Sequence, residues 1–186
     1  IVRKLEAAAK DDKVKGVYVR ANIAGIAPAQ GEEIRAALLG MKAAKKFVIA
    51  HLQNDSLRMS LGGYATVAGA DQVWLQDTGD LAAMGVVSEN MFLGGAFEKF
   101  RVTPQFEQRE EYKNAVNELT QRGYTPAHRE ATQDLVAQIY NAAIASIAAD
   151  RKLSIADADK AIKGTPYSGA NAVNAKLVDE LGRPED

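Results

Sequence analysis

The chain has no cysteine, which excludes a disulfide framework, a thiolate metal site and a cysteine nucleophile. The redox compartment stays open for the same reason. Its two histidines, His51 and His128, lie far apart and lack ligand spacing, so no metal site is expected. Neither sign of charge dominates: 23 Lys and Arg stand against 24 Asp and Glu, for a formal charge of −1. That balance makes no electrostatic case for nucleic acid or an anionic membrane as partner. No apolar run approaches the roughly 20 residues needed to cross a bilayer. Low-complexity tracts, linkers and short-period repeats are also missing.

What is present is ordinary globular material. The 186 residues are 47% hydrophobic and 25% charged, enough for one α/β domain with a full core spanning residues 1–186. The chain starts at Ile1 inside a segment that already reads as helix. It is therefore expected to be a piece of a longer chain, with any signal or anchor lying upstream.

Residues 1–10 carry apolar positions at Ile1, Leu5, Ala8 and Ala9, which predicts a short amphipathic helix. Residues 14–20 are rich in β-branched and aromatic side chains and read as a strand. Residues 30–46 show Ile34, Leu38, Leu39 and Met41 at helical spacing, with lysines at the C-terminal end that suit the helix dipole. Residues 47–52 form a nearly continuous apolar run, as in a strand buried on both faces. Residues 59–70 are mostly small, so this helix must approach something closely. Residues 71–76 read as the next strand, and 79–87 as a turn and a short strand. Residues 91–100, with Phe92, Leu93, Phe97 and Phe100, predict an amphipathic helix whose phenylalanines serve a core or an interface.

The segment 105–111 is charged but strand-compatible and runs into Tyr112-Lys113-Asn114-Ala115-Val116. Thr125 then caps a long helix with Pro126 in its first turn. The stripe Leu135, Val136, Ile139, Tyr140, Ala143, Ile144 and Ile147 predicts a core helix to about Asp150. Ser154 and Ser168 cap two shorter helices, and residues 177–182 close the domain. Alternating strands and helices predict a mostly parallel sheet flanked by helices.

Four segments in order carry a resemblance. Ser60-Leu61-Gly62-Gly63-Tyr64, running to Ala70-Asp71-Gln72-Val73-Trp74-Leu75, resembles an S-G-G-Y-Y helix and the A-D-K-I strand behind it. Residues 79–86 resemble G-x-L-x-x-x-G-V. Tyr112-Lys113-Asn114-Ala115, with Tyr124-Thr125-Pro126 and Arg129-Glu130, resembles a Y-K-S-A block and an S-P-x-x-R-E helix start. Tyr167-Ser168-Gly169, Ala172 and residues 177–182 resemble Y-x-G-x-x-A-x-x-x-x-L-V-D-x-L-G. Together they are similar to the signal peptide peptidase A family, also called protease IV, and span essentially the whole chain. The resemblance implies the ClpP/crotonase-like fold, proteolysis by a serine nucleophile and a lysine base, and no cofactor.

The implied chemistry explains the pairing. A hydroxyl is a poor nucleophile until a base takes its proton. Lysine, with an ordinary pKa of about 10.4, serves only when desolvation frees the amine. By position Lys113 matches the family's catalytic lysine. The chain departs from the family at the nucleophile, because Leu61 stands where the serine precedes Gly-Gly-Tyr. Ser60 is one residue earlier, which on a helix turns its hydroxyl by about 100°. It is expected to be a helix residue facing a neighbour. The family's S-P-G-G segment is also absent; residues 22–26 hold a single glycine, Gly25.

These losses resemble the N-terminal domain of the family's long, two-domain form, in which the C-terminal domain supplies the serine. On that resemblance, the implied partners are the C-terminal catalytic domain, further copies in a homo-oligomer, and signal peptide substrates. The implied place is the bacterial inner (cytoplasmic) membrane, with the soluble part outside the cytoplasm. Gly62-Gly63 is expected to serve close packing of helix on sheet rather than anion binding. Glu110-Glu111 is expected to be a solvated pair. Two rival readings remain: a non-catalytic scaffold of the same fold, and a crotonase-like enzyme binding an acyl-CoA.

Overall fold

Strands alternate with helices along the computed structural model, which describes residues 1–21, 26–53 and 60–186. The elements are α1 (Val2–Lys10), β1 (Gly16–Ala21), α2 (Pro28–Ala43), β2 (Phe47–Leu52), α3 (Leu61–Val67), β3 (Gln72–Leu75), β4 (Asp80–Leu81) and α4 (Gly94–Lys99). A 3₁₀ turn at Asn114–Val116 leads into α5 (Asn117–Thr120). Then follow α6 (Pro126–Arg151), α7 (Ile155–Lys163), β5 (Tyr167–Ser168), α8 (Gly169–Asn174) and β6 (Glu180–Leu181). They form two compact units, one of residues 1–85 with 140–186, the other of residues 86–139.

The first unit holds a four-stranded sheet in the order β1-β2-β3-β6, with every pairing parallel. Parallel neighbours need crossovers, and α2 and α3 supply those from β1 to β2 and from β2 to β3. Val48, Ala50, His51 and Leu52 of β2 are buried, but Phe47 is half exposed. The ring of Phe47 lies over Gly16 in the paired strand, where a β-carbon would meet it. The two-residue strands β4 and β5 pair antiparallel.

Polar side chains tie the C-terminal segment to this sheet. The Tyr64 hydroxyl donates to the Leu177 carbonyl at 2.7 Å, and burial raises its pKa. His51 Nε2 pairs with the Gly182 carbonyl at 2.9 Å. Arg151 grips both oxygens of Asp179, and Asp179 Oδ2 also accepts the Val73 amide at 2.8 Å. Burial pushes the Asp179 carboxyl up, but the hydrogen bonds from Arg151 and Val73 outweigh it and hold the carboxyl below its usual range. A second fork, Arg35 on Asp150, joins α2 to α6.

The small residues of α3 answer to helix packing. A β-carbon on Gly31 of α2 would sit 2.7 Å from Thr66 Oγ1 of α3. A β-carbon on Gly62 itself would meet Ile26, just ahead of α2, at an ordinary contact distance of 3.8 Å. Along α6, Ile144, Ile147 and Ala148 are buried, whereas Leu135 is 57% exposed. The predicted core stripe thus narrows to the helix's C-terminal part.

In the second unit, α4 is shorter than the helix predicted over 91–100, and none of its residues is buried. Met91 and Phe100 are exposed. Phe92 instead meets Tyr124 and His128 edge-on, at 4.9 and 5.7 Å between ring centroids. The Gly94 amide donates to the Gln121 carbonyl at 3.0 Å, and a β-carbon on Gly94 would lie 2.4 Å from that oxygen. The strand-compatible segment 105–111 forms no strand. Its charges, Glu107, Arg109, Glu110 and Glu111, leave no continuous apolar face to bury.

Candidate active site

Lys113 is placed by a tight turn. Glu110 has a positive φ of 61° and reverses the chain. The Lys113 amide donates to the Glu110 carbonyl at 3.2 Å, and Lys113 caps the 3₁₀ turn. Behind the turn, polar groups fix the start of α6. The Thr125 hydroxyl accepts the His128 amide at 3.2 Å, as its capping role predicts. Buried Asn117 reaches the same hydroxyl through Nδ2 at 3.4 Å. Asn90 links Glu118 and Tyr124, donating to the first at 2.6 Å and accepting from the second at 2.5 Å. Arg129 lies over the Tyr124 ring, 5.2 Å from its centroid.

The Lys113 side chain is exposed and has no hydrogen-bond or ion-pair partner among the described residues. An open concavity of about 660 Å³ beside the turn is lined by Glu110, Glu111, Tyr112, Asn117, Thr125 and Glu130. The two adjacent glutamates are exposed, as expected of a solvated pair. One contact joins this turn directly to α6: the Tyr112 hydroxyl donates to Glu130 Oε2 at 2.8 Å. The carboxylate raises the Tyr112 pKa through that bond. The sequence placed both residues in matching motifs but held no sign of their pairing. They lie 18 residues apart, one in irregular chain and one on a helix.

Ser60, Leu61 and Gly62 belong to the other unit. Ser60 is the N-cap of α3, its hydroxyl accepting the Gly63 amide at 3.0 Å. This corrects its expected place within the helix, and that hydroxyl is committed to a cap. Gly63's amide is likewise engaged rather than free for an anion. Leu61, which the resemblance aligns with the family's serine, is 1% exposed, and its amide donates to the Met84 carbonyl at 3.0 Å. Ser60 forms a parallel bridge with Met84. The reading of residues 22–26 as a segment without a glycine pair lies, except for Ile26, outside the described residues.

His51 and His128 are both buried and each leaves Nδ1 without a partner. Among the described residues no three His, Cys, Asp or Glu side chains gather where a metal ion would fit. No helix among them is long and apolar enough to cross a membrane.

The sheet of parallel strands with helical crossovers defines the chain as an α/β protein. The sequence pattern of peptidase family S49 matches residues 41–186. The chain belongs to that family and has its ClpP/crotonase-like fold. It is 29% identical over 181 residues to a protein of Methanocaldococcus jannaschii provisionally named a protease, covering 95% of this chain and 55% of that protein. It is 25% identical over 180 residues to a provisionally named signal peptide peptidase SppA of Enterococcus faecium, covering 95% and 50%. Protease 4 of Haemophilus influenzae is 25% identical over 154 residues, which are 82% of this chain and 24% of that protein. The chain thus spans about half the length of the first two relatives.

Proposed function

We propose that this chain is the lysine-donating domain of a longer serine endopeptidase that degrades cleaved signal peptides. Lys113 is the general base, and a second domain, C-terminal to this one, supplies the serine. Further copies assemble with it at the bacterial cytoplasmic membrane, with this domain outside the cytoplasm. The observation that carries the reading is the contrast between two positions. The serine position holds a buried leucine, whereas Lys113 presents a free amine. The names of the SppA and protease 4 relatives support the activity class.

In this mechanism the neutral amine of Lys113 takes the serine proton as the oxygen attacks the scissile carbonyl carbon. The resulting ammonium then returns the proton to the departing amine. The base works only if the assembled protein covers Lys113 with apolar surface, because a hydrated lysine stays protonated. In the full-length protein, Lys113→Ala lowers kcat for a signal-peptide substrate by at least about 10³-fold and leaves the melting temperature unchanged. Lys113→Arg does not rescue, because guanidinium holds its proton. Full activity in Lys113→Ala overturns the proposal.

The exposure of Lys113 favours a second reading, a domain of the same fold that serves only assembly. A structure of the full-length protein separates the two. A serine hydroxyl within hydrogen-bond reach of Lys113 Nζ supports the peptidase, and a wholly hydrated Nζ supports the scaffold.

A further inference from the structure

The chain leading to Lys113 is held by little. Residues 103–112 have no regular structure, and all of them except Pro104 are exposed. Among the described residues, this segment makes one hydrogen bond beyond the Lys113 turn, from the Tyr112 hydroxyl to Glu130 Oε2 at 2.8 Å. Its other bond is the turn's own, from the Lys113 amide to the Glu110 carbonyl. Glu130 lies on α6, five residues past Thr125, whose cap and link to Asn117 fix the turn just before it. Among the described residues, the segment's one outward hydrogen-bond anchor is therefore the residue next to the proposed base, and it is fastened to the capped start of α6.

We propose that Tyr112 and Glu130 form a tether that positions Lys113; this inference rests on the functional reading above. A general base must meet its proton donor within a few tenths of an ångström, and a misplacement of about 1 Å costs about 100-fold in rate. Tyr112 touches no reacting atom. It holds the turn so that Lys113 Nζ reaches a serine brought by another domain. Without the phenol, the turn loosens and the assembled protein covers the amine less completely, which favours the ammonium.

The test uses the full-length protein and a signal-peptide substrate. Tyr112→Phe keeps the ring and removes the bond. It is expected to lower kcat by about 10- to 100-fold with KM within about twofold, and to move the ascending limb of the pH–kcat profile to higher pH. Glu130→Ala is expected to match it, and the double variant to be no worse than either alone. Glu130→Gln retains an acceptor for the phenol and is expected to keep near wild-type kcat. A simple loss of stability moves neither the pH limb nor the pattern of rescue. Wild-type kcat and pH profile in Tyr112→Phe, with Lys113→Ala inactive, overturn the tether alone. Additive losses in the double variant, or a Glu130→Gln as impaired as Glu130→Ala, also overturn it. Activity retained in Lys113→Ala overturns the functional reading and, with it, a base for the tether to position.

Discussion

On the proposed reading, Leu61 and Lys113 differ in what one side chain allows a site to do. The leucine fills a fully buried position at the start of α3 with carbon, which cannot attack a carbonyl. The lysine offers an amine that nothing among the described residues engages. Asp179 shows the converse, a charge fully committed to structure. Its carboxyl is held below its ordinary value, so its stabilisation is complete above about pH 3.9, the unfolded value. That stabilisation is lost as pH falls through the lower folded value. Asp179→Asn is expected to destabilise the fold at neutral pH by about 1–2 kcal/mol, a figure reduced for the carboxylate's partial exposure. It is also expected to flatten the loss of stability on acidification. Denaturant titrations followed by circular dichroism between pH 7 and 3 measure both, and an unchanged acid limb refutes the assignment.

At the scale of the element, helix starts with a capping hydroxyl were legible, and helix ends without a glycine were harder to place. Thr125-Pro126 and Ser154 mark the first turns of α6 and α7, because a hydroxyl capping a backbone amide is a local bond. The ends of α2, α4 and α8 turn through Lys45, Arg101 and Lys176 in the left-handed conformation, where glycine is the usual signal. Without that glycine, α2 was read to Lys46 although it ends at Ala43. The apolar pattern also overstated α4, since Phe92 spends its ring on Tyr124 and His128 before the helix begins. Gly94 is where that helix meets the Gln121 backbone. Gly94→Ala is expected to cost about 1–3 kcal/mol, because a backbone oxygen has little freedom to yield. Gly95→Ala, one residue on, meets only Arg122 Cγ at 3.7 Å and is expected to be neutral or to add about 0.5–1 kcal/mol. Thermal unfolding of the pair checks the contrast, and equal losses defeat it.

Over the molecule as a whole, firmness is uneven. Backbone bonds in β2 are sheltered on both sides by paired strands, whereas residues 103–112 hang by one side-chain bond. Hydrogen exchange is therefore expected to be complete within seconds over 103–112 and to take hours in β2, with Tyr112→Phe accelerating residues 110–114 further. Comparable protection of the two regions contradicts this picture.

Most of the strand and helix order, the parallel sheet, the Thr125 and Ser154 caps and the family's motifs follow from residues near one another in the chain, although Ser168, at the start of α8, makes no side-chain cap bond. Such features depend on local periodicity and short-range bonds, so a linear reading recovers them. The pairings that hold the fold and shape the candidate site are of another kind. Tyr64 meets Leu177 across 113 residues, Arg151 meets Asp179 across 28, and Tyr112 meets Glu130 across 18. No propensity marks either partner, because each bond exists only once packing brings distant segments together. The exposure of Lys113 was settled by the same three-dimensional packing.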